Sequence, residues 1–166
     1  MNKHIIWLFT LLVFILAGCE KDEIGNTATE ALAGEWKLTV DEVDEGGNVI
    51  AEDCYGLGHI LMNTYNTAAN TPTEMYVDDI GNFWKYKIRV KSDVNALTFA
   101  TNGAAPNEAD ECDVTIDGGK ILLGAATTPH GTPADSIVYY ISFSDDEPGM
   151  RYKVSGYRYT GLAVDD

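Results

Sequence analysis

The chain has 166 residues, the size of a single domain, with 45% hydrophobic and 22% charged residues. Its 26 acids against 11 bases give a formal net charge of −15. That balance excludes a nucleic-acid binder, which needs a basic stripe to meet phosphates, and electrostatic docking on an anionic membrane surface. Apolar and aromatic residues run through the whole length, so composition excludes disorder as well.

The first element is a leader. Lys3 gives a short positive start, and residues 5–16 are apolar except for Thr10. This run matches a signal h-region and is too short for a spanning helix, which needs roughly 20 apolar residues. It ends Leu16-Ala17-Gly18-Cys19, which resembles the lipobox of bacterial lipoproteins. Small residues let the peptidase close on the backbone, and the Cys19 thiol receives the lipid. An ordinary secretory signal or an uncleaved anchor helix is the plain alternative. Glu20-Lys21-Asp22-Glu23 follows. It resembles the export signal that sends lipoproteins of Bacteroidetes to the cell surface; a solvated acidic linker, with the protein on the periplasmic face, is its alternative. The expected division is a signal peptide over 1–18, a lipidated tether over 19–33 and a folded domain over 34–166. The membrane is then met through the N-terminal lipid anchor alone, at the outer membrane.

From Gly34 onward the pattern is of short strands broken by turns. Predicted strands are 35–43, 57–66, 75–78, 83–91, 97–101, 112–116, 120–123, 136–144 and 150–160. The alternation is clearest over 83–91: Trp84, Tyr86, Ile88 and Val90 share one face, and Lys85, Lys87, Arg89 and Lys91 the other. Asp117-Gly118-Gly119 reads as a hairpin turn between two of the strands. No helix is expected after the leader. Strands at hairpin spacing make an all-β domain, either an antiparallel sandwich or an up-and-down barrel of about eight or nine strands.

Two residues favour the barrel. Trp36, in Gly34-Glu35-Trp36, is in phase with Leu38 and Val40, and Arg158 is in phase with Tyr152 and Val154. This resembles the lipocalin arrangement, where a G-x-W Trp plugs one end of the barrel and a basic residue of the last strand packs over it. A sandwich with Trp36 as ordinary core is the alternative. A guanidinium over an indole contributes about 0.5–2 kcal/mol. Three further stretches, Thr64-Tyr65-Asn66-Thr67-Ala68-Ala69-Asn70, Met75-Tyr76-Val77-Asp78-Asp79 with Phe83-Trp84, and Ser155-Gly156-Tyr157-Arg158-Tyr159-Thr160-Gly161, resemble the Bacteroidetes lipoprotein family called "lipid-binding putative hydrolase". The resemblance covers roughly residues 32–165. It implies a lipocalin-like, calycin-type barrel with an apolar ligand, and it carries over no catalytic residues.

Cys54 and Cys112 form an even pair once Cys19 is committed to lipid. A bridge between them would close a loop of about 60 residues, worth a few kcal/mol in the chain-entropy model; two buried free thiols are the alternative. Neither has a Cys or His at ligand spacing, so no metal is expected. Hydrolysis would need His59 or His130 beside a Ser or Cys, and no G-x-S-x-G is present. The acids sit mostly in turn-like pairs, so no catalytic residue and no cofactor is assigned. Trp84, Tyr86, Phe99, Tyr139, Phe143 and Tyr152 fall on inward faces. They are the candidate lining of a cavity for a small apolar or amphipathic, lipid-like ligand. The competing reading is an interaction module of a surface complex, with a filled barrel and an exposed patch around Tyr55, Tyr76 or Tyr157. Its protein partner is not legible.

Overall fold

The structure is a computed structural model that describes residues 26–162. The leader, Cys19 and the export-like segment lie outside the described residues. Ten strands follow one 3-10 turn, Glu30–Leu32: β1 Gly34–Val43, β2 Val49–Ala51, β3 Ile60–Asn66, β4 Glu74–Asp78, β5 Lys87–Asp93, β6 Thr98–Ala100, β7 Ala105–Pro106, β8 Asp113–Thr127, β9 Pro133–Phe143 and β10 Tyr152–Arg158. Eight of them close into an antiparallel barrel in the order β1-β3-β4-β5-β6-β8-β9-β10, and β10 pairs back onto β1. β2 pairs with the end of β1, and β7 with the start of β8. The all-β, up-and-down barrel expected from the alternation is therefore the fold.

The alternation works because closure gives every strand one wet and one dry face. In β1 the residues Trp36, Leu38 and Val40 are buried, and those between them are not. The closing seam runs from Trp36 opposite Arg158 to Glu42 opposite Tyr152. Gly156 lies in that seam, where a Cβ would overlap the Lys37 carbonyl, so the seam closes only because the side chain is missing.

Three local expectations need correction. The segments 112–116 and 120–123 are one strand, β8. Gly118 has φ +61° and the register shifts between Asp117 and Lys120, so the pair Gly118-Gly119 makes a bulge instead of a hairpin. At Gly119 a Cβ would collide with the carbonyl and ring of Phe99, which fixes glycine there by close approach. The strand expected over 83–91 starts only at Lys87, because residues 79–86 form a loop. Finally, the stretch expected to be tether up to residue 33 already belongs to the folded body: Thr29 and Leu32 are fully buried, and Leu32 is part of the core. Among the described residues every strand and every core residue thus lies between Thr29 and Arg158, so the chain from residue 20 onward carries all the strands of the closed barrel. Among the described residues no helix is long and apolar enough to cross a membrane.

Candidate functional site: an aromatic mouth opposite Trp36

The barrel has two unlike ends. At the first, Trp36 is fully buried and its indole N–H donates to Thr64 Oγ1 at 2.9 Å. The Thr64 hydroxyl donates to the Leu32 carbonyl at 2.6 Å, so the 3-10 turn is tied under the barrel. The Arg158 guanidinium carbon sits 4.4 Å from the Trp36 ring centroid. Arg158 also donates to the Ala33 carbonyl at 2.6 Å and to Asp135 Oδ2 at 3.1 Å. The structure thus brings Trp36 and Arg158 together, and this end is shut.

The middle is filled. Tyr86 and Tyr139 meet hydroxyl to hydroxyl at 2.5 Å, and Tyr139 donates on to Met62 Sδ at 2.8 Å. Phe99 packs 5.7 Å from Tyr139 between ring centroids. Tyr139 and Tyr152 are 0% exposed and Tyr86 is 1% exposed, which leaves no room for even a water beside them. The expectation that these rings line an open interior is corrected accordingly: Tyr86, Phe99 and Tyr139 are core. Burial pushes the phenols of Tyr86 and Tyr139 well above the usual tyrosine range, because no solvent supports a phenolate there.

The other end is different. Trp84, Phe143 and Tyr152, from three separate elements, meet with Phe83 and Tyr55. Trp84 stacks on Phe143 at 4.7 Å with an interplanar angle of 12°. Phe83 stands edge-on to Tyr152 at 5.3 Å, and Tyr55 leans over both at 5.6 and 5.8 Å. Tyr55 is 48% exposed, and its hydroxyl lies 2.7 Å from that of Tyr152, which donates to Asp146 at 2.7 Å. Burial, then the Tyr55 contact and the Asp146 carboxylate, raise the Tyr152 phenol pKa far out of range. The Trp84 indole N–H reaches Asp145 Oδ1 at 3.2 Å. The adjoining β9–β10 connection, residues 142–151, borders an open cleft of about 470 Å³, within the size that small-molecule sites occupy.

One buried carboxylate sets this arrangement. Asp79 is 1% exposed and accepts five backbone N–H groups. Gly81 and Tyr86 bond its Oδ1 at 2.9 and 2.8 Å; Phe83, Trp84 and Lys85 bond its Oδ2 at 3.0, 2.9 and 2.9 Å. The loop is wrapped around the charge, and Phe83 and Trp84 are turned toward the rings. The same loop holds two non-glycine residues at positive φ, Ile80 at +47° and Lys85 at +54°, while Asp53 at +41° lies in the loop of Tyr55. A β-branched residue in that conformation is strained. Ile80 is nonetheless half exposed, and Val49 and Ile50 of β2 and Leu57 of the β2–β3 loop are exposed as well. The mouth therefore carries an apolar rim.

The remaining candidates lie apart from one another. Cys54 and Cys112 are both free thiols in the structure, Cys54 half-buried and Cys112 buried. Cys54 Sγ donates to the Val40 carbonyl at 3.5 Å, and Cys112 Sγ accepts from Asn107 at 3.4 Å. Burial raises both thiol pKa values. His59 packs against Tyr157 at 5.7 Å between ring centroids, and His130 sits in the exposed 128–132 turn at the Trp36 end. Among the described residues neither imidazole is hydrogen-bonded to a serine or cysteine. Phe83, Asp79, Asp145 and Asp146 were not singled out by the sequence as part of one site, and Ile80 was not either. Asp79 read as ordinary turn chemistry, and only the five converging amides give it another role.

Compared with known proteins, the chain matches the family described as "Lipid-binding putative hydrolase" over residues 21–163. A search of curated proteins finds no match. With that match spanning nearly the whole closed barrel, the chain belongs to this lipid-binding family.

Proposed function

We propose that this protein is an outer-membrane-anchored lipoprotein, lipidated at Cys19 and displayed at the cell surface, whose barrel takes a small lipid-like ligand at the aromatic mouth. The observation that carries the reading is the mouth itself: five aromatic rings under a strained, apolar rim, at the end not shut by Trp36. Exposed apolar groups of this kind mark contact sites in soluble domains, and the family is a lipid-binding one. The ligand's apolar part rests on Tyr55, Phe83 and Trp84, and the filled middle keeps it shallow. The anchor reading rests on the lipobox-like Leu16-Ala17-Gly18-Cys19. Cys19→Ala is expected to move the protein out of the membrane fraction.

The filled middle also favours a second reading, an interaction module whose partner packs on the same rim. Native mass spectrometry separates the two, on the chain from residue 20 purified gently from its own host. A retained mass of a few hundred daltons, lost on organic extraction, supports the carrier. A bare polypeptide mass, with a protein recovered by crosslinking at Tyr55, supports the module.

A further inference from the structure

Among the described residues, the acids of the connecting loops are distributed very unevenly between the two ends of the barrel. The loops at the mouth, 44–59, 79–86, 101–112 and 144–151, hold eleven acids. They hold two bases, Lys85 and Arg151, and both are ion-paired, to Asp110 and Asp117. The loops and termini at the Trp36 end (26–33, 67–73, 94–97, 128–132 and 159–162) hold one acid, Glu30. A solvated acidic surface has no reason to collect at one end. Here two of the carboxylates touch the mouth rings directly: Asp145 accepts from the Trp84 indole and Asp146 from the Tyr152 phenol.

An aromatic face carries negative quadrupole potential and attracts a cation within about 6 Å of its centroid. Carboxylates beside the same rings add to that field, and the low-dielectric barrel behind them weakens screening. A carboxylate or phosphate head would meet repulsion from the same groups. We infer that the ligand of this mouth is an amphiphile with a cationic end. Its apolar part lies on Tyr55, Phe83 and Trp84, and its amine or quaternary ammonium lies toward Asp145 and Asp146. This rests on the mouth being the ligand site, as proposed above, and adds the polarity of the head group.

The test uses three probes with one tail and different heads, decyltrimethylammonium, decyl maltoside and decanoate, each below its micelle concentration. Calorimetric titration is made into the chain from residue 20, which carries all the strands of the closed barrel, at pH 7.5. The expected order is ammonium, then maltoside, then decanoate, with the two charged probes at least tenfold apart at low salt. That gap narrows at 0.5 M salt. It falls to less than threefold in D145N/D146N and is kept in E30Q/E35Q, which removes two charges at the other end. Equal binding of all three probes, or tighter decanoate, overturns the cationic head while leaving the apolar site standing. A gap that E30Q/E35Q erases as fully as D145N/D146N also overturns it, since net charge alone is then responsible. Binding of none of the probes overturns both this inference and the ligand site beneath it.

Discussion

Replacing Asp79 should do more damage than any other single surface-loop change. In Asp79→Ala five backbone N–H groups lose their acceptor at once. The Tyr86 amide is buried, and an unmet buried donor costs about 1–3 kcal/mol. The other four are partly exposed and turn to water, so each loses nearer 0.5–1 kcal/mol. The total is about 3–7 kcal/mol, a large fraction of a typical domain's stability. Asp79→Asn is the sharper variant. Its NH₂ must point at either the two amides now on Oδ1 or the three on Oδ2, so donors face donors, and it should retain less than half of the wild-type loop stabilisation. Urea unfolding followed by circular dichroism, on the chain from residue 20, gives the loss. Fluorescence of Trp84 in a Trp36→Phe background gives the loosening of the mouth. An Asp79→Asn protein within about 1 kcal/mol of wild type would show that the amides do not depend on the charge, and the account of the mouth would fail.

Arg158→Ala should cost about 2–3 kcal/mol, from the stacking on Trp36 and the bonds to Ala33 and Asp135. Arg158→Lys should recover less than half of it, because an ammonium lacks the planar fork; equal recovery in urea melts would refute the stacking. Gly156→Ala places a Cβ on the Lys37 carbonyl. It should destabilise by about 3 kcal/mol or more and free the β1–β10 amides to hydrogen exchange. Tyr65, Tyr86, Tyr139 and Tyr152 have phenol pKa values raised in the folded state, so the folded protein holds protons that the unfolded chain releases near pH 10. Their contribution is fully present below pH 10 and is lost as pH rises above it. Absorbance titration at 295 nm should leave four of the nine tyrosines un-ionised until the alkaline unfolding transition; full ionisation of a still-folded protein would refute the burial.

The barrel was legible because period-two burial is a local signal. Trp36 and Arg158 could be matched across more than a hundred residues simply by counting phase along β1 and β10, and the register sets them opposite one another. The glycine pair at 118–119 misled because a bulge and a hairpin demand the same positive φ. What separates them is Phe99, about twenty residues away, pressing on Gly119. The alternation of Trp84 and Tyr86 with Ile88 was also real in burial and wrong in backbone. Asp79 bends the chain around itself there, and no pattern of apolar residues announces five amides converging on one carboxylate. Tyr86, Phe99, Tyr139, Phe143 and Tyr152 do lie on the dry face, while Trp84 is only half-buried, and a sequence does not say whether rings from opposite walls stop short or touch. Tyr86 and Tyr139 touch.

The Ala28 amide is bonded to Asn70, Leu32 is buried beneath Thr64, and β10 finishes at Arg158, so the first and last described segments both sit at the Trp36 end. The described chain therefore enters and leaves the barrel at the same end. On the lipoprotein reading proposed above, an acyl group on Cys19 would attach on the side of the Trp36 end, with Tyr55, Phe83 and Trp84 at the opposite end of the barrel. A ligand of the proposed kind would then arrive from the side away from that point of attachment.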